Sequence, residues 1–182
     1  GYDALIPASF SFSFNPEITH LTESALQTYR ELGLKDLTVS IESGSSYVLT
    51  KLMFRKDYLE KARRLIQHAH DLGFRIKCLF VLGVPGESAE MRQETLSYAL
   101  SLPVDWCTFY IATPVPGSYI YRHLKESGLL QVRTPSQLAM IKFRYRSFDI
   151  PGMPASEIIE AQDLFEGIVN FVDPYLYRSG KY

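Results

Sequence analysis

Three short segments of this chain carry side chains suited to chemistry, and each follows an apolar run. The first is Ile41-Glu42-Ser43-Gly44-Ser45. A carboxylate and a hydroxyl at the end of a strand can accept from and donate to ribose hydroxyls or an amino group. They can equally cap or stabilise the turn that follows. The second is Leu82-Gly83-Val84-Pro85-Gly86-Glu87-Ser88. Gly83 permits a tight turn and close approach of a ligand to the backbone. Pro85-Gly86 reads as a type II turn. Glu87 is expected in the first turn of the next helix, where the helix dipole favours negative charge. This is not a phosphate loop, because it lacks the long glycine-rich cradle and the lysine. The third is Pro114-Val115-Pro116-Gly117-Ser118. Its rigid backbone could present amides and carbonyls to the amino edge of an adenine, or simply join a strand to a helix.

The elements that must hold these segments can be read from periodicity. Phe10 to Phe14 alternates Phe with Ser, the pattern of a half-buried strand. Thr22 caps a helix that runs to Gly33. Leu37 to Ile41 is a short strand. Asp57 and Glu60 propose a capping box for a helix whose apolar face is Leu59, Ala62, Leu65, Ile66, Ala69 and Leu72. Glu60 and Arg64 are placed to pair across one turn of it. Phe74 to Leu82 is almost continuously apolar after Lys77, which predicts a parallel strand covered on both faces. Ser88 caps a helix reaching Leu102, Trp106 to Ala112 is another strand, and Tyr119 to Lys125 is a short helix ending at Gly128. Ser156 caps a last helix to about Val172, and the tail from Tyr175 is expected to be loose. Strands alternating with helices predict right-handed βαβ crossovers. The fold class is therefore α/β, a partial TIM-type barrel of about four parallel strands, with a C-terminal helical extension. Residues 1–130 form the barrel portion and residues 131–182 the extension.

The totals narrow the function. The chain has 182 residues, with 46% apolar and 21% charged, enough for one soluble domain with a core. Its net charge of −1 argues against nucleic acid and against an anionic membrane surface. The basic and aromatic stretch from Arg133 to Phe148 is better read as a strand or linker over the open side of the barrel. No apolar run is long enough to span a membrane. The cysteines are Cys78 and Cys107, both within apolar runs, which fits a reducing, cytoplasmic setting. His20, His68, His70 and His123 make no metal site, since His68 and His70 lie two apart and do not share a helix face.

Taken in order, the motifs resemble one family. Ile41 to Ser45 is followed by Val48-Leu49-Thr50-Lys51-Leu52-Met53 and the basic pair Arg55-Lys56, then by Phe80 to Ser88, then by Pro114 to Tyr121. The segment from about Leu37 to Leu130 resembles the second half of a radical S-adenosylmethionine (SAM) barrel. It is closest to the branch holding cobalamin-dependent members and methylthiotransferases. The resemblance implies that Glu42 and Ser43 face the ribose or methionine end of SAM. Arg55 or Lys56 would approach its carboxylate, although a solvated basic pair before a helix is the more ordinary reading of both. Phe80, Leu82 and Gly83 would line the adenine, and Thr113 and Pro114 its other edge.

The same resemblance exposes what is missing. Such enzymes cleave SAM with a [4Fe–4S] cluster held by three cysteines, usually in a Cys-x-x-x-Cys-x-x-Cys loop after the first strand. Two cysteines on different strands cannot supply three thiolates. The chain is therefore expected to be the C-terminal part of a longer enzyme and inactive without the cluster-binding half. The parent would form a 5′-deoxyadenosyl radical, or methylate with cobalamin. The expected partner is that missing half, or a second copy pairing through open sheet edges. Two other readings stand beside it: a non-catalytic α/β binding or partner-docking module, and a SAM or nucleotide binder without redox chemistry.

Overall fold

A computed structural model describes residues 13–14, 16–129 and 152–172. Four strands, β1 (Ser13–Phe14), β2 (Asp36–Glu42), β3 (Arg75–Leu82) and β4 (Trp106–Ile111), form one sheet in the order β1-β2-β3-β4. Every pairing is parallel. Between and after them come helices α1 (Glu23–Glu31), α2 (Leu59–Asp71), α3 (Ala89–Leu100) and α4 (Tyr119–Glu126), with α5 (Ala155–Phe171) last. Strands adjacent in sequence are adjacent in the sheet. A doubly wound sheet reverses its strand order, whereas a βα barrel does not. The described strands are thus part of a barrel wall, as expected. The stretch 133–148 and the tail beyond Tyr175 fall outside the described residues.

Local chemistry explains most element starts. Thr22, Ser88 and Ser118 are N-caps, each side-chain oxygen accepting from the backbone N–H three residues on, at 3.1, 3.3 and 3.1 Å. Such caps each contribute about 1 kcal/mol. The α2 start differs from expectation. Tyr58 is its N-cap and makes no side-chain cap bond, so Asp57 and Glu60 do not form a reciprocal box. Asp57 instead accepts from Leu59 N–H at 3.1 Å and from the Ser46 hydroxyl at 2.5 Å, which ties the loop shut. Arg64 reaches Glu23 of α1 at 3.2 Å rather than Glu60. Pro154, not Ser156, is the N-cap of α5.

The β3 strand also departs from its sequence reading. Ile76, Cys78, Phe80 and Leu82 are buried, but the residues between them are only half-buried. One face packs beneath the helices, with Ala62, Leu65, Ile66 and Leu96 in the same core. The other face looks into an unclosed barrel, so it is not sealed. Close packing of the segment after β2 on α3 rests on Gly44. A Cβ there would lie 2.5 Å from Tyr98 Cβ and 2.8 Å from Thr95 Cα.

The β4 edge is covered by side chains. Asn170 accepts from Cys107 N–H and donates to Cys107 C=O, both at 2.8 Å. Glu166 accepts from Phe109 N–H at 3.1 Å, and Gln162 donates to Phe109 C=O at 2.5 Å. The geometry works because four helical residues rise about 6 Å and two strand residues about 6.6 Å. Residues 166 and 170 therefore match Phe109 and Cys107, alternate residues of β4, and Gln162 adds the Phe109 carbonyl.

Two expected outcomes follow from this packing. Gly44→Ala forces backbone apart and is expected to destabilise by about 1–3 kcal/mol, read as a lowered denaturation midpoint. Asn170→Ala orphans two backbone groups of Cys107 and is expected to cost about 1–3 kcal/mol. An unchanged midpoint in either variant would contradict the packing described.

Candidate functional site

At the carboxyl ends of β2, β3 and β4 lies a cavity of about 710 Å³, within the size range of small-molecule sites. Its walls are mostly apolar, with Met53, Val81, Val84, Ile111 and Ile120 prominent. Glu42, Arg55, Thr113, Ser118 and the Tyr110 and Tyr119 rings supply the polar groups. Glu42 and Arg55 face each other as an ion pair at 3.4 Å, with side chains 22% and 45% exposed. Both charges remain reachable from the cavity.

The backbone that presents Glu42 is strained. Its φ is +67°, a region costly for any residue with a Cβ. Ser43 N–H donates back to Ile41 C=O at 2.9 Å, which closes a three-residue γ-turn around Glu42. The register with β3 shifts at the same point, two residues of β2 advancing against one of β3. Bulges of this kind re-aim a side chain. The Tyr58 hydroxyl donates to the same Ile41 carbonyl at 3.1 Å. Burial pushes the Tyr58 phenol up to about 12, so it stays a donor throughout the neutral range.

Arg55 is delivered by a second unusual segment. Val48–Leu52 winds as a π-helix, closed by Met53 N–H to Val48 C=O at 2.8 Å. Phe54 then adopts φ +55°, and Arg55 N–H reaches back to Leu49 C=O at 2.8 Å. Wide turns of this type recur at functional sites. Here the result is that Arg55 lies opposite Glu42.

The structure divides the sequence-selected residues. Glu42, Arg55 and Thr113 line the cavity together. Ser43 does not. It is fully buried, with its hydroxyl 3.0 Å from the Thr95 hydroxyl and accepting from Ser45 N–H at 3.1 Å. Lys56 is exposed and outside the cavity wall. Phe80 and Leu82 are fully buried on the helix-facing side. Phe80 stacks on Phe109 at 5.1 Å, and Phe109 meets Phe165 of α5 edge-on at 5.6 Å. Strand alternation explains this: Val81, one residue between them, takes the cavity face instead. Gly83 is buried with φ +78°. Pro114 is buried and is not part of the wall.

Glu87 is not in the first turn of α3. It precedes the Ser88 cap, is buried, and accepts from Gly83 N–H at 2.5 Å. Its carboxylate shapes the β3 exit loop rather than the helix dipole. Pro85-Gly86 forms the expected turn, with Gly86 at φ +90° and Glu87 N–H donating to Val84 C=O at 2.9 Å. Tyr110, Tyr119, Met53 and Val84 escaped the sequence reading as site residues. Tyr110 lies in a strand that is apolar at nearly every position, so no alternation marked its face. Cys78 and Cys107 are register partners on β3 and β4, both fully buried and unbonded. Burial pushes both thiols up, Cys107 to about 12. Among the described residues there is no cluster of metal-ligating side chains, and no helix is long and apolar enough to cross a membrane.

The chain matches known proteins in both sequence and fold. Residues 7–99 match the profile of the Radical SAM superfamily. The cytidylyl-2-hydroxyethylphosphonate methyltransferase of Streptomyces wedmorensis is 29% identical over 139 residues, covering 73% of this chain and 26% of that protein. The coproporphyrinogen III oxidase HemN of Escherichia coli, a radical SAM enzyme, superposes with a TM-score of 0.64 at 18% identity, over 96% of this chain and 33% of that one. The radical SAM methyltransferase TsrM of Kitasatospora setae, solved with cobalamin and a [4Fe–4S] cluster, gives a TM-score of 0.57 at 14% identity, over 68% and 24%. The chain thus spans about a quarter of the length of the curated relatives it matches. The family uses SAM with a [4Fe–4S] cluster, and the methyltransferase relative agrees with the branch indicated by the motifs. A profile covering half the chain, an ordered βα wall and the strand-end motifs carry one conclusion: the chain belongs to the radical SAM superfamily.

Proposed function

We propose that these 182 residues form part of the SAM pocket and the substrate-side wall of a longer radical SAM enzyme. The observation that carries this reading is the Glu42–Arg55 pair facing a mostly apolar cavity at the strands' carboxyl ends. SAM is a zwitterion on an adenosine, and the cavity offers a matching set of groups. Arg55 would hold the methionine carboxylate by a charge-assisted hydrogen bond. Glu42 would accept from the amino group or the ribose hydroxyls. Val81, Val84 and Ala112 would exclude water from the adenine faces, and the Thr113 backbone would meet its edge. When bound, SAM supplies an adenosyl or methyl group for transfer chemistry.

The residues present do not fit the cluster. Thiolates are its ligands, and the sequence has only two cysteines. Both are fully buried in the helix-facing core with thiols held protonated by desolvation. The cluster ligands, and any cobalamin site, would lie outside these residues, and the partner would be the strands that continue the wall beyond β1. On the other side, α5 already covers the β4 edge, so self-association would have to use the β1 side. A reducing, cytoplasmic setting suits two unpaired thiols. The second reading is a non-catalytic docking module, favoured by the cysteine chemistry alone.

Two measurements test this. Glu42→Gln and Arg55→Ala in the complete protein are expected to weaken S-adenosylhomocysteine binding by about 10- to 100-fold each, measured by anaerobic calorimetry. Wild-type binding that neither substitution alters would sink the assignment, and no binding at all would favour the docking module. The 182-residue chain alone, reconstituted anaerobically with iron and sulfide, is expected to retain essentially no iron. A stoichiometric four-iron cluster would overturn the ligand argument.

A further inference from the structure

A continuous set of polar contacts runs from the C-terminal helix to the cavity wall. Glu157 lies in the first turn of α5, with its side chain 46% exposed. Its carboxylate Oε1 pairs with Arg92 Nη2 of α3. The Arg92 side chain is only 5% exposed. Its Nη1 donates to the Glu87 backbone carbonyl at 3.5 Å. The Glu87 carboxylate in turn accepts from Gly83 N–H at 2.5 Å. Gly83 stands between Val81 and Val84, and both of those line the cavity.

Two features make this more than a surface ion pair. A guanidinium taken out of water must be paired and hydrogen-bonded to be tolerated, so the position of Arg92 is tied to both Glu157 and the Glu87 loop. The loop itself has little slack. Gly83 and Gly86 hold φ at +78° and +90°, and a Cβ on Gly86 would lie 3.2 Å from Leu52 of the π-helix segment that lines the same cavity. A shift of α5 therefore has a direct mechanical route to the wall at Val81 and Val84.

We propose that Arg92 is a positioning residue for the β3-side wall of the cavity, and that docking of α5 through Glu157 is thereby coupled to ligand binding. This rests on the SAM reading of the cavity. Coupling between two sites is reciprocal. Loosening α5 weakens the ligand, and the ligand tightens α5 by the same factor.

The test uses the complete protein and S-adenosylhomocysteine, with affinity read by anaerobic calorimetry and α5 docking read by amide hydrogen exchange over residues 155–171. Glu157→Gln keeps the shape and removes the charge. It is expected to weaken binding by about 5-fold or more, while Glu157→Asp restores part of the loss. In the unaltered protein the ligand is expected to slow exchange in α5. Unchanged affinity in Glu157→Gln, with faster α5 exchange, would mean that the helix undocks without consequence and would overturn the coupling. So would an α5 whose exchange ignores the ligand in the unaltered protein, a result that needs no variant to fold. If the unaltered protein does not bind the ligand at all, the SAM reading fails and the coupling falls with it. Binding that responds to Arg55→Ala but not to Glu157→Gln leaves the SAM reading intact and removes the coupling alone.

Discussion

The carbonyl of Ile41 is the point from which the site is organised. It accepts two hydrogen bonds, from Ser43 N–H and from the Tyr58 hydroxyl. Together they hold Glu42 at a positive φ that costs about 1–3 kcal/mol and persists only where the surroundings over-determine it. The surroundings do so from three sides. Ser43 and Gly44 are tied to Thr95 of α3, Tyr58 stands at the head of α2, and Ser46 is tied to Asp57 across the intervening loop. Helices on the outside of the wall thus fix one carboxylate on its inside. Strand alternation already gives Glu42 the face opposite Leu37, Val39 and Ile41, and the turn fixes its backbone there.

The two faces of the sheet have separate tasks. The helix-facing layer is a continuous apolar core that includes Val39, Ile41, Cys78, Phe80, Cys107 and Phe109. Its thiols are packing groups whose desolvation makes them inert. The opposite face is half-buried and carries Val81 and Tyr110 to the cavity, which Ile111 also borders at the end of β4. Both cysteines lie on the first of these faces, which is the physical reason that this wall cannot anchor a cluster whatever its sequence resemblance.

The legibility of these features follows how local they are. Thr22 and Ser88 were readable as caps because a cap is made within four residues. The strand-end motifs were readable because order and spacing survive without contacts. Glu42 and Arg55 were selected, but their opposition depends on a bulge and a π-turn that no periodicity announces. Ser43 and Phe80 belonged to the right motifs and the wrong face, since one residue of register moves a side chain through the sheet. Arg64 found Glu23 of α1 through tertiary placement that competes with the nearest helical partner, while Glu87 turned back to Gly83 within its own loop instead of entering the helix. The role of α5 was illegible for the same reason: Gln162, Glu166 and Asn170 look like the polar stripe of any surface helix until β4 is placed beside them.

That stripe has a consequence for how the protein is made. The groups it satisfies on Cys107 lie 63 residues earlier in the chain than Asn170. At ribosomal rates of about 5–20 residues per second, β4 emerges with its edge uncovered for roughly 3–13 s before its cover exists. The helix that covers this edge is made only after the edge itself. The interval in which this wall can pair with the wrong strand is set by the pace of translation rather than by the stability of the finished fold.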